Sequence, residues 1–381
     1  MKIPNLNILL LSVLLYIACK TPFTPEVEPK FKNVLVVEGF INIGGETTIK
    51  LSRTGDLQDW QTFIPEKNAK VEVEGEDAVV IGANSNGNGT YVLATQSLAL
   101  NQKYRLKIEV QGKNYYTNFL ENKKSPEIDS LNFRVENAGF QVYVSTHDDR
   151  NNTRYYSWNF HETWEVISPY TSNYEFINGK VVRRDPDVNI TRCWGNALSS
   201  HIILTTTERL SEDRVTLAPV THIKGNSEKL AFRYSILVKQ YGLTQQGYKY
   251  LENMKKNTEQ IGSIFDSQPS ELRGNVYCES DPTEQVIGWI SAGTETQKRL
   301  FISYRDKPLS NEDWVYRNRC EMFNSTSDSL LYYLQGENLI VSEIRFPMPD
   351  GSTVITYDMA KEACIDCRLK GTNVEPDYWP N

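Results

Sequence analysis

Segments in which polar and apolar residues alternate recur along this chain, and they constrain its fold more than any other feature. Residues 69–74 alternate strictly, which places Val71 and Val73 on one face of an extended segment and charged side chains on the other. Successive side chains of a β-strand point to opposite faces, so this period of two predicts half-buried strands. Such segments follow one another with turn residues between them, and they predict an immunoglobulin-like β-sandwich over residues 33–122.

A second series of strands is expected after a Lys-Lys-Ser-Pro boundary at residues 123–126. Within it, the segment 154–166 also alternates, and we predict that its aromatic face lies in a core. That face carries Tyr156, Trp158, Phe160 and Glu162, and the opposite face carries Tyr155, Asn159, His161 and Thr163. We therefore predict a larger, mostly-β second domain over residues 126–381.

A short helical insertion is predicted in this second domain at about residues 244–256. Thr244 can cap the helix, and Tyr248, Leu251 and Met254 share one face at helical spacing. The cysteine-containing tail from Cys364 onward is predicted to be irregular. The expected fold class is thus mainly β.

The first residues have the pattern of a bacterial lipoprotein signal. The apolar run 8–15 has the length of a signal-peptide core and is too short to span a bilayer as a helix. Ala18 is the small residue that a signal peptidase needs before the cut, and the thiol of Cys19 can then carry acyl chains. We predict a signal peptide over 1–18, lipid attachment at Cys19 and a Pro-rich tether over 19–32. The alternative is an ordinary secretory signal in which Cys19 is incidental.

The charge balance argues against one class of partner. The chain has 48 acidic and 41 basic residues, and its basic residues form no stripe. Proteins that bind nucleic acids cluster Lys and Arg against the phosphates. No nucleic-acid partner is therefore expected.

Five cysteines remain beyond Cys19 as candidates for disulfides or free thiols, namely Cys193, Cys278, Cys320, Cys364 and Cys367. An exported chain meets an oxidising space, so one or two disulfides are expected, and the odd number leaves at least one thiol unpaired. The connectivity stays open. The last two cysteines form a C-x-x-C pair. A structural role is favoured there over half a zinc site or a redox centre, because no second ligand pair and no following helix accompany it.

The sequence contains no familiar motif for catalysis or for a metal or cofactor. Its four histidines lack metal-ligand spacing, and no nucleophile elbow or zincin motif occurs, so we predict no catalytic residue, metal or cofactor. A carboxylate pair for glycoside hydrolysis stays open, because only its spatial separation defines it. The candidates for ligand or partner contact are Trp164 at a strand end and Tyr170 and Tyr174 in a polar loop. A core position is the alternative for each.

Several long segments resemble one family of Bacteroidota lipoproteins, catalogued as domain of unknown function 4249. The resemblance rests, in this order, on residues 155–158, 162–165, 233–241, 262–266, 268–272, 274–275, 286–289, 364–368, 371–373 and 376–379. It implies an outer-membrane lipoprotein with an N-terminal β-sandwich and a larger, mostly-β second domain. Members resemble accessory proteins found with TonB-dependent outer-membrane transporters. The resemblance brings no catalytic residues.

Three functions are compatible with these observations. The first is a non-enzymatic, membrane-anchored accessory of a TonB-dependent barrel, which captures a ligand or contacts the barrel. The second is a structural module of the cell envelope without a ligand, and the third is a hydrolase with an unrecognised carboxylate site. A concave pocket with aromatic residues would favour the first, a flat apolar patch the second, and buried carboxylates facing a cleft the third. Periplasmic and cell-surface orientations both stay open.

Overall fold

The computed structural model describes residues 33–55, 64–259, 273–308 and 312–380 of the 381-residue chain. The predicted signal peptide, the Pro-rich tether and Cys19 lie outside the described residues. In the described ranges the fold is mainly β, as predicted, and it contains two α-helices. Neither is long and apolar enough to span a membrane.

The strands fall into three groups along the chain. The first group is β1 (Leu35–Asn42), β2 (Glu46–Arg53), β3 (Ile64–Pro65), β4 (Lys70–Gly75), β5 (Val80–Gly82), β6 (Asn84–Ser85), β7 (Thr90–Ala94), β8 (Tyr104–Val110), β9 (Lys113–Thr117) and β10 (Asn122–Lys123). The second is β11 (Ile128–Glu136), β12 (Gly139–His147), β13 (Tyr155–Ile167), β14 (Tyr174–Ile177), β15 (Lys180–Arg183), β16 (Arg192–Leu198), β17 (Ile203–Thr206), β18 (Arg214–Lys224) and β19 (Arg233–Gly242). The third is β20 (Val276–Cys278), β21 (Val286–Ile287), β22 (Ser291–Gly293), β23 (Glu295–Ser303), β24 (Met322–Thr326), β25 (Asn338–Pro347) and β26 (Thr353–Lys361). The helices are α1 (Gln245–Glu259) and α2 (Leu330–Leu334).

Two sheets that enclose one core form what we call the first unit. One sheet has the order β10-β22-β1-β2-β7-β6, and the other has the order β20-β9-β8-β4-β5. Alternate apolar positions of both sheets face inward because each strand has a period of two. Members of this shared core include Leu35, Ile49, Val73, Tyr91, Leu106 and Tyr115.

The segment 111–114, Gln-Gly-Lys-Asn between two alternating segments, predicts a tight hairpin, and the structure has this hairpin between β8 and β9. Gln111 and Gly112 both have positive φ, at 53° and 75°. Two such residues give the turn a twist that matches the right-handed twist of the flanking strands. The turn therefore places β9 directly beside β8 on one side of the core.

The segment 276–293 corrects the predicted boundary between the domains. In sequence this segment lies within the predicted second domain. In the structure, however, β20 pairs with β9, and β21 and β22 run parallel to β1 in the first unit. Gly288 permits this close approach, because a Cβ there would overlap the carbonyl oxygen of Val37. These strands are only two or three residues long, so they carry no alternation that could reveal their partner.

A second pair of sheets forms the second unit. Its sheets have the orders β11-β12-β18 and β16-β13-β19-β23, with β17 also paired to β13. The predicted aromatic face of β13 is confirmed, since Tyr156, Trp158 and Phe160 are buried in the shared core. The indole Nε1 of Trp158 donates a hydrogen bond to Gln240 at 3.0 Å. This hydrogen bond satisfies the buried indole N–H of Trp158, the largest side chain on that face of β13.

The remaining strands form a C-terminal lobe. Its sheet has the order β24-β26-β25, and the hairpin of β14 and β15 packs against it together with α2. The predicted irregular tail begins with two 3₁₀ turns, Glu362–Cys364 and Cys367–Leu369. The tail then crosses the outer face of β13, where the hydroxyls of Tyr378 and Thr163 lie 2.9 Å apart. Thr163 is therefore buried although it lies on the outer face of its strand.

Candidate ligand-binding cleft

A cleft of about 510 Å³ lies where the first unit, the second unit and α1 meet. Its three sides are the outer face of β1 and β2, the outer face of β13, β19 and β23, and one side of α1 with the β21–β22 segment. A cleft of this size is in the range of small-molecule sites, which occur preferentially between structural units.

The first side of the cleft follows from the alternation of β1. Leu35, Val37 and Ile41 point into the core, so Glu38 and Phe40 point outward into the cleft. Glu38 is paired in register with Lys50 of β2, which also lines the cleft. Glu38 and Lys50 are exposed, and neither forms an ion pair with another residue in the described ranges.

The floor of the cleft holds a connected polar network. Lys239 Nζ lies 2.9 Å from a carboxylate oxygen of Glu295. The Tyr241 hydroxyl donates to Glu295 at 2.7 Å and accepts a hydrogen bond from Asn159 Nδ2 at 3.3 Å. Burial, followed by the charge and the hydrogen bond of Glu295, raises the pKa of Tyr241, so its hydroxyl stays protonated. The network fixes these groups in place, and the ring of Phe40 packs on Tyr241 at 4.7 Å between centroids.

The third side depends on how α1 begins. The predicted helix is present, and the hydroxyl of Thr244 accepts a hydrogen bond from the Gly247 N–H at 3.1 Å. A Cβ at Gly247 would lie 3.0 Å from the indole nitrogen of Trp289, so glycine lets the helix approach the β21–β22 segment. As a result, the Tyr250 and Trp289 rings lie 5.6 Å apart at 30° beside the cleft.

The Tyr250 hydroxyl is the one polar group at this cleft that is buried without a hydrogen bond in the described ranges. The side chain is 5% exposed, and the backbone of Gly288 lies beside its hydroxyl. Burial, and to a lesser extent the charge of Glu38, raises the pKa of Tyr250, while the Gly288 backbone opposes the shift. Because the hydroxyl is shielded from solvent, Tyr250 contributes its ring to the cleft and not its polar atom.

The five cysteines predicted as disulfide or thiol sites form two disulfides and leave one thiol. Cys193 bonds to Cys367, Cys320 bonds to Cys364, and Cys278 is free and buried. The C-x-x-C pair is thus structural, and its two members join different partners. These bonds fasten the C-terminal lobe to β16 and to itself, away from the cleft.

The predicted aromatic contacts Trp164, Tyr170 and Tyr174 do not line the cleft. Trp164 is half-buried, with the Lys229 ammonium 5.1 Å from its ring centre. The Tyr170 hydroxyl donates to the carbonyl of Cys320 at 3.1 Å, and Tyr174 packs into the core of the C-terminal lobe. The loop that carries Tyr170 and Tyr174 is polar in sequence. The disulfide-bonded lobe covers this loop, so these two side chains are part of the packing.

Sequence reasoning did not identify the cleft residues, because they come from four distant segments. Each one reads as an ordinary outward residue of a strand or helix. One signal is present in the sequence: Lys239, Tyr241 and Trp289 fall in segments that carry the family resemblance. These segments meet around the cleft in the folded chain.

The fold defines a mainly-β protein with an open cleft between two sheet units. The sequence matches the family model described as "Domain of unknown function (DUF4249)" over residues 20–299. The chain belongs to this family.

Other comparisons add little. No curated protein matches the sequence. A solved structure titled "Biofilm associated protein - BSP domain" matches at 7% identity with a TM-score of 0.13, covering 75% of this chain and 62% of its own length. This chain thus spans less than two thirds of that structure, and at this TM-score the likeness supports no argument.

Proposed function

We propose that this chain is a Bacteroidota lipoprotein anchored to the outer membrane through Cys19, and that it is a non-enzymatic accessory of a TonB-dependent transporter. Its role in this proposal is to capture a ligand in the cleft. The observation that carries the proposal is the cleft itself, which combines aromatic side chains with exposed polar groups. The signal pattern and the family resemblance support the location and the partner.

The carboxylates of the cleft support a binding role over hydrolysis. Glu295 is the shielded one, with 14% of its side chain exposed, and it is held by Lys239 and Tyr241. Glu38 and Glu46 are exposed to solvent. A glycosidase needs one carboxyl group with a raised pKa beside an ionised one.

A ligand-free envelope module is less well supported, because it would need a flat apolar patch in place of a cleft. We also propose that β1–β10 represent an immunoglobulin-like sandwich. The two sheets around a single core support this assignment.

Replacing the lipid attachment site tests the anchoring. We expect Cys19→Ala to remove the acyl chains, to block processing by the lipoprotein signal peptidase and to abolish the detergent-extractable mature form. Globomycin should reproduce this effect on the wild-type protein. Membrane fractionation with immunoblotting measures the outcome, and Cys278→Ala, which removes a different thiol, should leave anchoring unchanged. A Cys19→Ala protein that stays membrane-bound and fully processed would contradict the anchoring.

A further inference from the structure

We infer that the ligand of the cleft is a neutral carbohydrate, an inference that rests on the proposed ligand-capture role. Its first support is the aromatic lining. Trp289 and Phe40 are half-buried at the cleft, so part of each ring faces the open space. A sugar ring presents apolar C–H groups on its faces and hydroxyls around its rim, so it can cover an aromatic face while its rim stays hydrogen-bonded.

The second support is the set of hydrogen-bonding groups around these rings. The exposed Glu38 and Glu46 carboxylates offer acceptors. Lys50 adds an exposed donor on the same side of the cleft. Hydroxyl groups both donate and accept, so a polyhydroxylated ligand can satisfy all of these groups at once.

The third support is the balance of charge. The lining contains the acidic residues Glu38, Glu46 and Glu295 and the basic residues Lys50 and Lys239. Lys239 and Glu295 neutralise each other at 2.9 Å. The remaining charges are mixed, which suits a neutral ligand better than a phosphate or a polycation.

The strand pairing disfavours a peptide in an extended conformation. Peptides of that kind bind by adding a strand to a free sheet edge. β1, the strand beside the cleft, is paired with β2 along one edge and with β21 and β22 along the other. The edges of β1 are therefore occupied by strands of this chain and do not offer a peptide a free edge in the cleft.

The test uses the mature, purified chain. It is screened against an array of neutral oligosaccharides of plant, microbial and animal origin and against a peptide array. Glycans that bind are then titrated by isothermal calorimetry, beginning with maltohexaose, xylohexaose, mannohexaose and chitohexaose. We expect saturable binding of at least one neutral oligosaccharide.

Trp289→Ala removes an aromatic face from the cleft and should weaken that binding about three- to tenfold, the value of one aromatic contact. Glu38→Gln should weaken it by a similar factor. Tyr248→Ala is the matched aromatic control, because Tyr248 lies on α1 but packs on Tyr155, with ring centres 5.3 Å apart, and does not line the cleft. Thermal melting of each variant verifies that it is folded.

The outcomes separate the two proposals. Glycan binding that Trp289→Ala and Glu38→Gln weaken, and Tyr248→Ala does not, supports the inference. Glycan binding that all three variants retain places the glycan elsewhere and overturns it. Peptide binding with the same sensitivity and no glycan binding overturns the carbohydrate class but keeps ligand capture. Binding of neither class overturns both.

Discussion

Replacing Cys193 and Cys367 together by alanine should lower the free energy of unfolding of the second unit and the C-terminal lobe by about 4–5 kcal/mol. The bond joins residues 174 positions apart, so it removes much of the freedom that the unfolded chain would otherwise gain. Both residues are buried beside Val166 and Trp164, so their loss also loosens the packing there. Urea unfolding followed by tryptophan fluorescence measures the change.

The matched control for the disulfide variant is Cys278→Ala, which removes a buried sulfur that bonds to no other cysteine. Its expected cost is about 1 kcal/mol, the value of a small lost buried group. The double alanine variant leaves neither half of the broken bond as a thiol, which avoids exchange of that thiol with the Cys320–Cys364 bond. Equal stability of the double variant and the control would show that the bond does not hold the lobe in place.

Replacing Glu162 by alanine should cost about 2–4 kcal/mol, because it leaves two partners of a buried carboxylate unpaired. Glu162 is 5% exposed and accepts hydrogen bonds from the Tyr234 hydroxyl, at 2.7 Å, and from Lys229 Nζ. Burial, and then the neighbouring Glu162, raises the pKa of Tyr234 well above its usual range, so the hydroxyl stays a donor. The lower end of the range reflects the 30% exposure of the Lys229 side chain. The same urea unfolding measures the loss.

Two further variants give this prediction its controls. Glu162→Gln keeps the shape and an acceptor, so we expect a smaller loss than for alanine. Glu312→Ala breaks an exposed ion pair with Arg317, where the Glu312 side chain is 91% exposed, and should cost well under 1 kcal/mol. If Glu162→Ala lowers the free energy of unfolding no more than Glu312→Ala does, the contacts of Glu162 with Tyr234 and Lys229 do not stabilise the fold.

The sequence was sufficient where a local pattern determines the structure. The period-two rule identified the buried face of β13, and its aromatic residues Tyr156, Trp158 and Phe160 lie in the core. Thr244 and the helical spacing that follows it located α1. Gln111 and Gly112 identified the hairpin between β8 and β9. Each of these features depends on residues close together in the chain.

The features that the sequence did not predict depend on long-range contacts. Strands β20–β22 are too short for a pattern, and only their pairing with β9 and β1 assigns them to the first unit. The disulfide between Cys193 and Cys367 joins residues 174 positions apart, so no local pattern indicates this pairing. The cleft likewise exists only after Glu38, Lys239, Tyr250 and Trp289 have been brought together by folding.

The most direct test of the proposed role is recovery of the partner from the native membrane. The affinity-tagged, full-length protein is expressed at its natural level, outer membranes are solubilised in a mild detergent, and co-purifying proteins are identified by mass spectrometry. A tagged, unrelated outer-membrane lipoprotein serves as the control. We expect a TonB-dependent barrel to be enriched with this chain above the control. Repeated recovery of the lipoprotein without any such barrel would contradict its role as a transporter accessory.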